Sequence, residues 1–382
     1  MVSAQPPGYP VGPPPYGPPP GYGYGHGYGP PAYRPPPGYG PPPGYGPPPG
    51  YGPGPGPSAL KPGIIPLRPL TLSEIFNGAV GYIRTNPKAT LGLTVLVVVA
   101  MQVITLAATA GPLAAYGRMA SEQPDRPNFG VLGGYLASVS GSMLVTWLGS
   151  MLLSGMLTVI VGRAVFGSSI TIGETWAKIR GRLLPLLGLA FLEAAVLAAL
   201  VGLVVVLIAV LAAVAGGVAA VLLGIPLTLA VLVLAVYLYT VVLFAPVLIV
   251  LERLPVIEAV TRSFSLVRHG FWRVLGIRVL THIVAAVISA AVAAPFSIVS
   301  QVMMIGEAST AMLLAGTTIA AIGGAIGQII TAPFNAGVIV LLYTDRRMRA
   351  EAFDLVLQSG AAGGPSADSS TDNLWLTRPF AG

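Results

Sequence analysis

The chain has no cysteine, and only 9% of its residues are charged against 54% that are hydrophobic. The first absence removes disulfides, thiol nucleophiles and cysteine-based metal sites together. The second removes the soluble globular class, because a water-exposed surface needs about a quarter of its residues charged. Histidine is scarce as well: His26, His269 and His282 are the whole set, and they fall in three different settings. No Walker loop, G-x-S-x-G, H-E-x-x-H or dinucleotide fingerprint occurs. No catalytic residue, cofactor or metal site is therefore expected, and the chain does not read as an enzyme. Lysine is nearly absent beside arginine, 3 against 17. With abundant Ala, Val and Gly, that bias points to a GC-rich bacterial genome.

What is present is apolar length. Six blocks, at 89–111, 133–162, 184–215, 218–250, 275–305 and 310–343, each exceed the ~20 residues that span a bilayer. The run 183–251 is long enough for three spans, and Glu193 is its only charge. Its clearest break is Gly216-Gly217, which makes it two spans joined by a tight turn. The fold class is thus all-α, a polytopic transmembrane bundle of six spans.

With six spans, eighteen of the twenty Lys and Arg residues fall on one side; Arg118 and Arg126 are the exceptions. The positive-inside bias then places both termini in the cytoplasm of a bacterial plasma membrane. The net charge of +7 is accounted for by this orientation and by anionic lipid headgroups, and nucleic acid is not an expected partner.

Residues 1–63 differ from the rest. The first 57 hold 23 Pro, 16 Gly and 9 Tyr, with three perfect copies of PPPGYG at 35–52. Nothing there can bury a core, so a disordered cytoplasmic tail is expected. It has no basic start followed by an apolar stretch and cleavage site, so it does not read as a signal peptide. Regular Tyr in an uncharged flexible chain suits multivalent recruitment of protein partners.

A repeat is written in the basic segments. Thr71-x-x-Glu74 and Thr171-x-x-Glu174 are capping boxes, and Pro255 followed by Glu258 holds the equivalent place in a third segment. This predicts interfacial helices near 71–86, 171–183 and 255–273, each followed by two spans within the membrane domain 64–344. Arg84, Arg180, Arg182, Arg262, Arg268 and Arg273 sit on these segments as candidate contacts to lipid headgroups. After the last span, 345–382 is expected to form a short amphipathic helix and a mobile tail.

The patterns LTLSEIFNGAVGYIRTNP, RSFSLVRHGFWRVLGI and PFNAGVIVLLYTDRRMRAEAFDL resemble the membrane domain associated with glycerophosphoryl diester phosphodiesterases, notably actinobacterial members with a Pro/Gly-rich tail. The resemblance covers about residues 64–358. It implies a membrane helix bundle of unassigned activity. The phosphodiesterase catalytic domain is a separate soluble barrel, for which this sequence has no segment.

Glu193 lies about 13 Å into its span, where an ionised carboxylate needs a partner or water. Arg278 and His282 occupy comparable depths in the fifth block, making these three the candidate intramembrane polar site. Pro246, Pro295 and Pro333 interrupt the last three blocks, with Gln301, Gln328 and Asn335 nearby. The leading functional expectation is a non-enzymatic membrane scaffold with a partner-recruiting tail. The alternative is a transporter or lipid-handling protein that uses a site near Glu193.

Overall fold

The computed structural model describes residues 63–122, 128–303, 305, 309–362 and 371–376, and every regular element among them is helical. The Pro/Gly/Tyr tail, up to residue 62, lies outside the described residues.

Helix α1 (Leu72–Thr85) starts where its capping box says it should. The Thr71 N–H donates to Glu74 Oε2 at 2.7 Å, and the Glu74 N–H donates to Thr71 Oγ1 at 3.3 Å. Such a cap stabilises a helix start by about 1 kcal/mol. Ile75, Ala79 and Tyr82 recur at helical spacing and are fully buried against the last long helix, where the Tyr82 hydroxyl donates to the Pro333 carbonyl. Pro87, suited to a first helical turn, opens α2 (Pro87–Glu122), which packs on α3 (Phe129–Ala164). The second capping box, Thr171 with Glu174, opens α4 (Ile172–Ile179), and a 3₁₀ turn at Arg180–Arg182 leads into α5 (Leu183–Val242).

At 60 residues, α5 would be about 90 Å long if straight, three times the hydrocarbon core. It is not straight. Gly216 has φ 84° and ψ 167°, a conformation reserved for glycine. A Cβ on Gly224 would lie 3.2 Å from the Ile208 side chain, whereas sixteen residues of continuous helix would separate them by ~24 Å. The chain therefore doubles back at Gly216, and the five apolar helical runs make six passes.

The fourth pass ends through α6 (Ala245–Val247) and a π-helical turn, Leu248–Glu252, closed by Arg253. Then come α7 (Val256–Arg268), α8 (Phe271–Met303), α9 (Thr310–Glu351) and α10 (Phe353–Ala362). The element order is one short helix and two long apolar passes, three times over. Helices α8 and α9 approach closely because Gly323 sits against Phe296 and Gly327 against Ser289. Of the three prolines expected to interrupt spans, only Pro246 does so; Pro295 and Pro333 lie inside unbroken helices.

Four long helices, α2, α3, α8 and α9, form the central bundle, and the α5 hairpin stands at its side. In the most apolar stretch of α9 50% of residues are buried, but in that of the hairpin 0% are. The hairpin thus presents bare apolar surface nearly all round, which only a lipid-like solvent tolerates.

Of the C-terminal tail expected to be mobile, residues 363–370 and 377–382 lie outside the described residues. The segment Thr371–Trp375 is docked, with Trp375 2% exposed between Phe166, Tyr343 and Phe353. Burying an indole among three aromatic rings offsets the entropy of ordering so short a segment.

Candidate functional site

A cavity of about 400 Å³ opens between α3, both arms of the α5 hairpin, α8 and α9. Glu193, Arg278 and His282 all line it, so the three polar residues singled out by their depth converge on one space. Trp147, Ser150 and Ser154 come from α3, Tyr239 from the second arm of the hairpin, and Gln328 and Asn335 from α9.

Arg278 is the centre of this arrangement. It is 7% exposed, and it donates from Nη1 to Asn335 Oδ1 at 3.2 Å and from Nη2 to the Tyr239 hydroxyl at 3.0 Å. Its buried Nε–H has no hydrogen-bond partner among the described residues. Asn335 is itself held by donating from Nδ2 to the Thr331 carbonyl one turn back, at 3.1 Å. No ion pair joins Glu193 to Arg278 among the described residues, so the anticipated Glu193–Arg278 or Glu193–His282 clasp is absent as a direct contact. The guanidinium is instead held by two neutral groups, which orient it without neutralising it. Glu193 is half-buried and His282 and Tyr239 are exposed, so the cavity is open at its side.

The six arginines expected at headgroups divide into two kinds. Arg84, Arg180 and Arg268 are exposed, and Arg182 is half-buried with Nη1 3.5 Å from the Arg253 carbonyl. Arg262, half-buried, and Arg273, exposed, also make contacts inside the protein. Arg262 Nε lies 2.6 Å from Glu252, and its Nη2 lies 2.8 Å from Glu351. Arg273 Nη2 donates to the Leu70 carbonyl at 2.8 Å and lies 3.3 Å from Asp345. Both Glu252 and Asp345 have fully buried carboxylates, and burying such a group is offset by ion pairing and hydrogen bonding.

These two acids were missed in the sequence. Asp345 Oδ1 accepts the Leu70 N–H at 2.8 Å and Arg349 Nε at 2.9 Å, tying the start of α1 to the end of α9. Glu252 accepts the Tyr343 hydroxyl and lies 3.5 Å from Arg347, whose guanidinium stacks 3.8 Å over Phe353. Arg346 donates from both Nε and Nη2 to the Leu266 carbonyl. The only signal was an acidic residue abutting a span end beside arginines. The basic segments are therefore laced together at one end of the bundle.

Chemically, the Arg278 cavity can hold an anionic or hydrogen-bonding group; among the described residues no three His, Asp or Glu side chains cluster closely enough for a metal ion. No curated protein matches the chain, and no solved structure does. A family model matches residues 70–346, beginning and ending beside the Leu70–Asp345 hydrogen bond that closes the bundle. The chain belongs to that family, described as a domain of unknown function, DUF7847.

Proposed function

We propose that this protein is a non-enzymatic, multi-pass plasma-membrane protein that takes the charged group of an anionic amphiphile into the Arg278 cavity. The observation that carries the reading is a buried guanidinium that, among the described residues, has no partner for its Nε and no paired carboxylate, facing a space of about 400 Å³. An uncompensated cation at this depth is costly, and an incoming anion would relieve it. The bare hairpin beside the cavity offers a surface along which an acyl chain can lie. The eighteen basic residues on one side support cytoplasmic termini. The three-fold element order, with two capping boxes at matching places, supports an origin by internal triplication.

Native mass spectrometry of detergent-extracted protein tests this. Wild type should retain an anionic amphiphile, and Arg278→Gln should lose it by roughly ten- to a hundredfold, the worth of one charge-assisted hydrogen bond. Identical bound lipid in both would end the proposal.

The scaffold reading rests on residues 1–57, whose regular tyrosines favour multivalent contacts. Deleting them should abolish partner recruitment while leaving amphiphile binding intact; unchanged partners after deletion would remove this role.

A further inference from the structure

A second cavity, of about 410 Å³, lies at the laced end of the bundle. The end of α3, α4 with the Arg180–Arg182 turn, the Arg253 bend and the Thr371–Trp375 segment enclose it. Arg163, Lys178, Arg180, Arg182 and Arg253 line it, and Asp372 is the one carboxylate among the described lining residues. Five basic side chains on one cavity wall make a strongly cationic lining, and the backbone helps to place them. Arg253 has φ 59° and ψ 33°, a left-handed conformation that a long side chain rarely adopts. That bend puts its carbonyl against Arg182 and its charge on the cavity wall. Glu174, near enough to Arg163 and Lys178 to feel their charge, spends its carboxylate on the cap of α4.

Asp372 is brought in by Trp375, whose buried ring and carbonyl, 3.0 Å from Arg347 Nη1, anchor the segment. Its carboxylate meets the Arg163 fork through Nε and Nη2, both at 3.3 Å, and also meets the Lys178 ammonium. Good guanidinium–carboxylate contacts are nearer 2.8 Å, so Asp372 meets Arg163 at longer than the optimal range. Asp372 also reaches only two of the five cations. A tetrahedral group with three or four oxygens would reach more of them.

We propose that this cavity binds a phosphate group, and that Asp372 fills it as a displaceable internal substitute. The phosphate belongs either to a lipid headgroup or to a soluble phosphorylated compound. Either would have to displace Asp372, so the docked C-terminal segment makes binding autoinhibited. This site is separate from the Arg278 cavity and does not depend on the function proposed for it.

The test uses the full chain in phosphatidylcholine nanodiscs with two probes: inorganic pyrophosphate followed by calorimetry, and phosphatidylglycerol followed by native mass spectrometry. One probe should bind, which identifies the source. Asp372→Asn should bind it about fivefold more tightly, the effect of one like charge at ~4 Å in water, whereas Asp372→Glu should stay near wild type. The Arg180→Gln/Arg182→Gln double variant should bind at least about tenfold more weakly, and Arg278→Gln should leave this affinity unchanged. Thermal midpoints confirm that each variant is folded. The proposal is overturned if neither probe binds wild type or Asp372→Asn. It is equally overturned if Asp372→Asn binds no more tightly, or if the folded double variant binds as well as wild type.

Discussion

Glu252→Gln is the substitution that most directly probes how the bundle holds together. The Glu252 carboxylate is fully buried, 2.6 Å from Arg262 Nε and 3.5 Å from Arg347 Nη1, and it accepts the Tyr343 hydroxyl. Glutamine keeps the shape and one acceptor for Tyr343, so packing is conserved and the loss is electrostatic. Breaking a buried pair by removing one charge typically destabilises by about 3–5 kcal/mol. Two neighbours reduce this. Arg262 retains Glu351 at 2.8 Å, and Arg347 retains Glu351 at 3.0 Å and the Trp375 carbonyl at 3.0 Å. The expected loss is therefore about 2–3 kcal/mol, nearer the worth of hydrogen bonds to a charged group. Equilibrium unfolding in mixed micelles, followed by tryptophan fluorescence, measures it. A double-mutant cycle with Arg347→Met should return a coupling of about 1.5–3 kcal/mol. A loss under about 1 kcal/mol with no coupling would mean that the buried acid is not what lashes α9 to the end of the fourth pass.

Gly216→Ala should destabilise by about 1–3 kcal/mol through the backbone alone, since among the described residues no atom beyond its own local backbone lies within 4 Å of the added carbon. Mixed-micelle unfolding tests it, and a neutral result would place the turn elsewhere. Gly337→Ala meets a tighter site: its Cβ would lie 2.6 Å from Tyr82 Cε1 and 3.1 Å from Ala79 Cα. Overpacking of this kind costs about 1–3 kcal/mol, read as a lowered thermal midpoint. Because the chain has no cysteine, Ser309→Cys and Ser265→Cys can be labelled cleanly in intact cells. Ser309 should react with an impermeant maleimide and Ser265 only after permeabilisation; the reverse pattern would invert the topology.

Local chemistry was legible in the sequence, and distant pairing was not. The caps at Thr71 and Thr171 and the turn at Gly216 were readable because each depends on a few neighbouring residues. The convergence of Glu193, Arg278 and His282 followed from depth alone. Which groups bind Arg278 did not follow, because that depends on how each helix is rotated. An amphipathic stripe reports rotation, and α5 is apolar on every side. Asp345 with Leu70 and Glu252 with Tyr343 are pairs 275 and 91 residues apart, and no periodicity announces them. The docking of Trp375 was hidden for a related reason: one aromatic in a polar segment gives no sign of the pocket that receives it.

The sideways opening of the Arg278 cavity bears on how its occupancy is set. Tyr239 is 51% exposed, and with the exposed His282 it lines the open side of the cavity. If the amphiphile proposed above enters by this flank, it comes from the surrounding leaflet and does not cross bulk water. The relevant concentration is then its mole fraction among neighbouring lipids, and dissociation constants in molar units have no meaning for it. Occupancy would follow changes in membrane composition even when the aqueous phase stays constant. A protein loaded in this way would report the make-up of the bilayer around it.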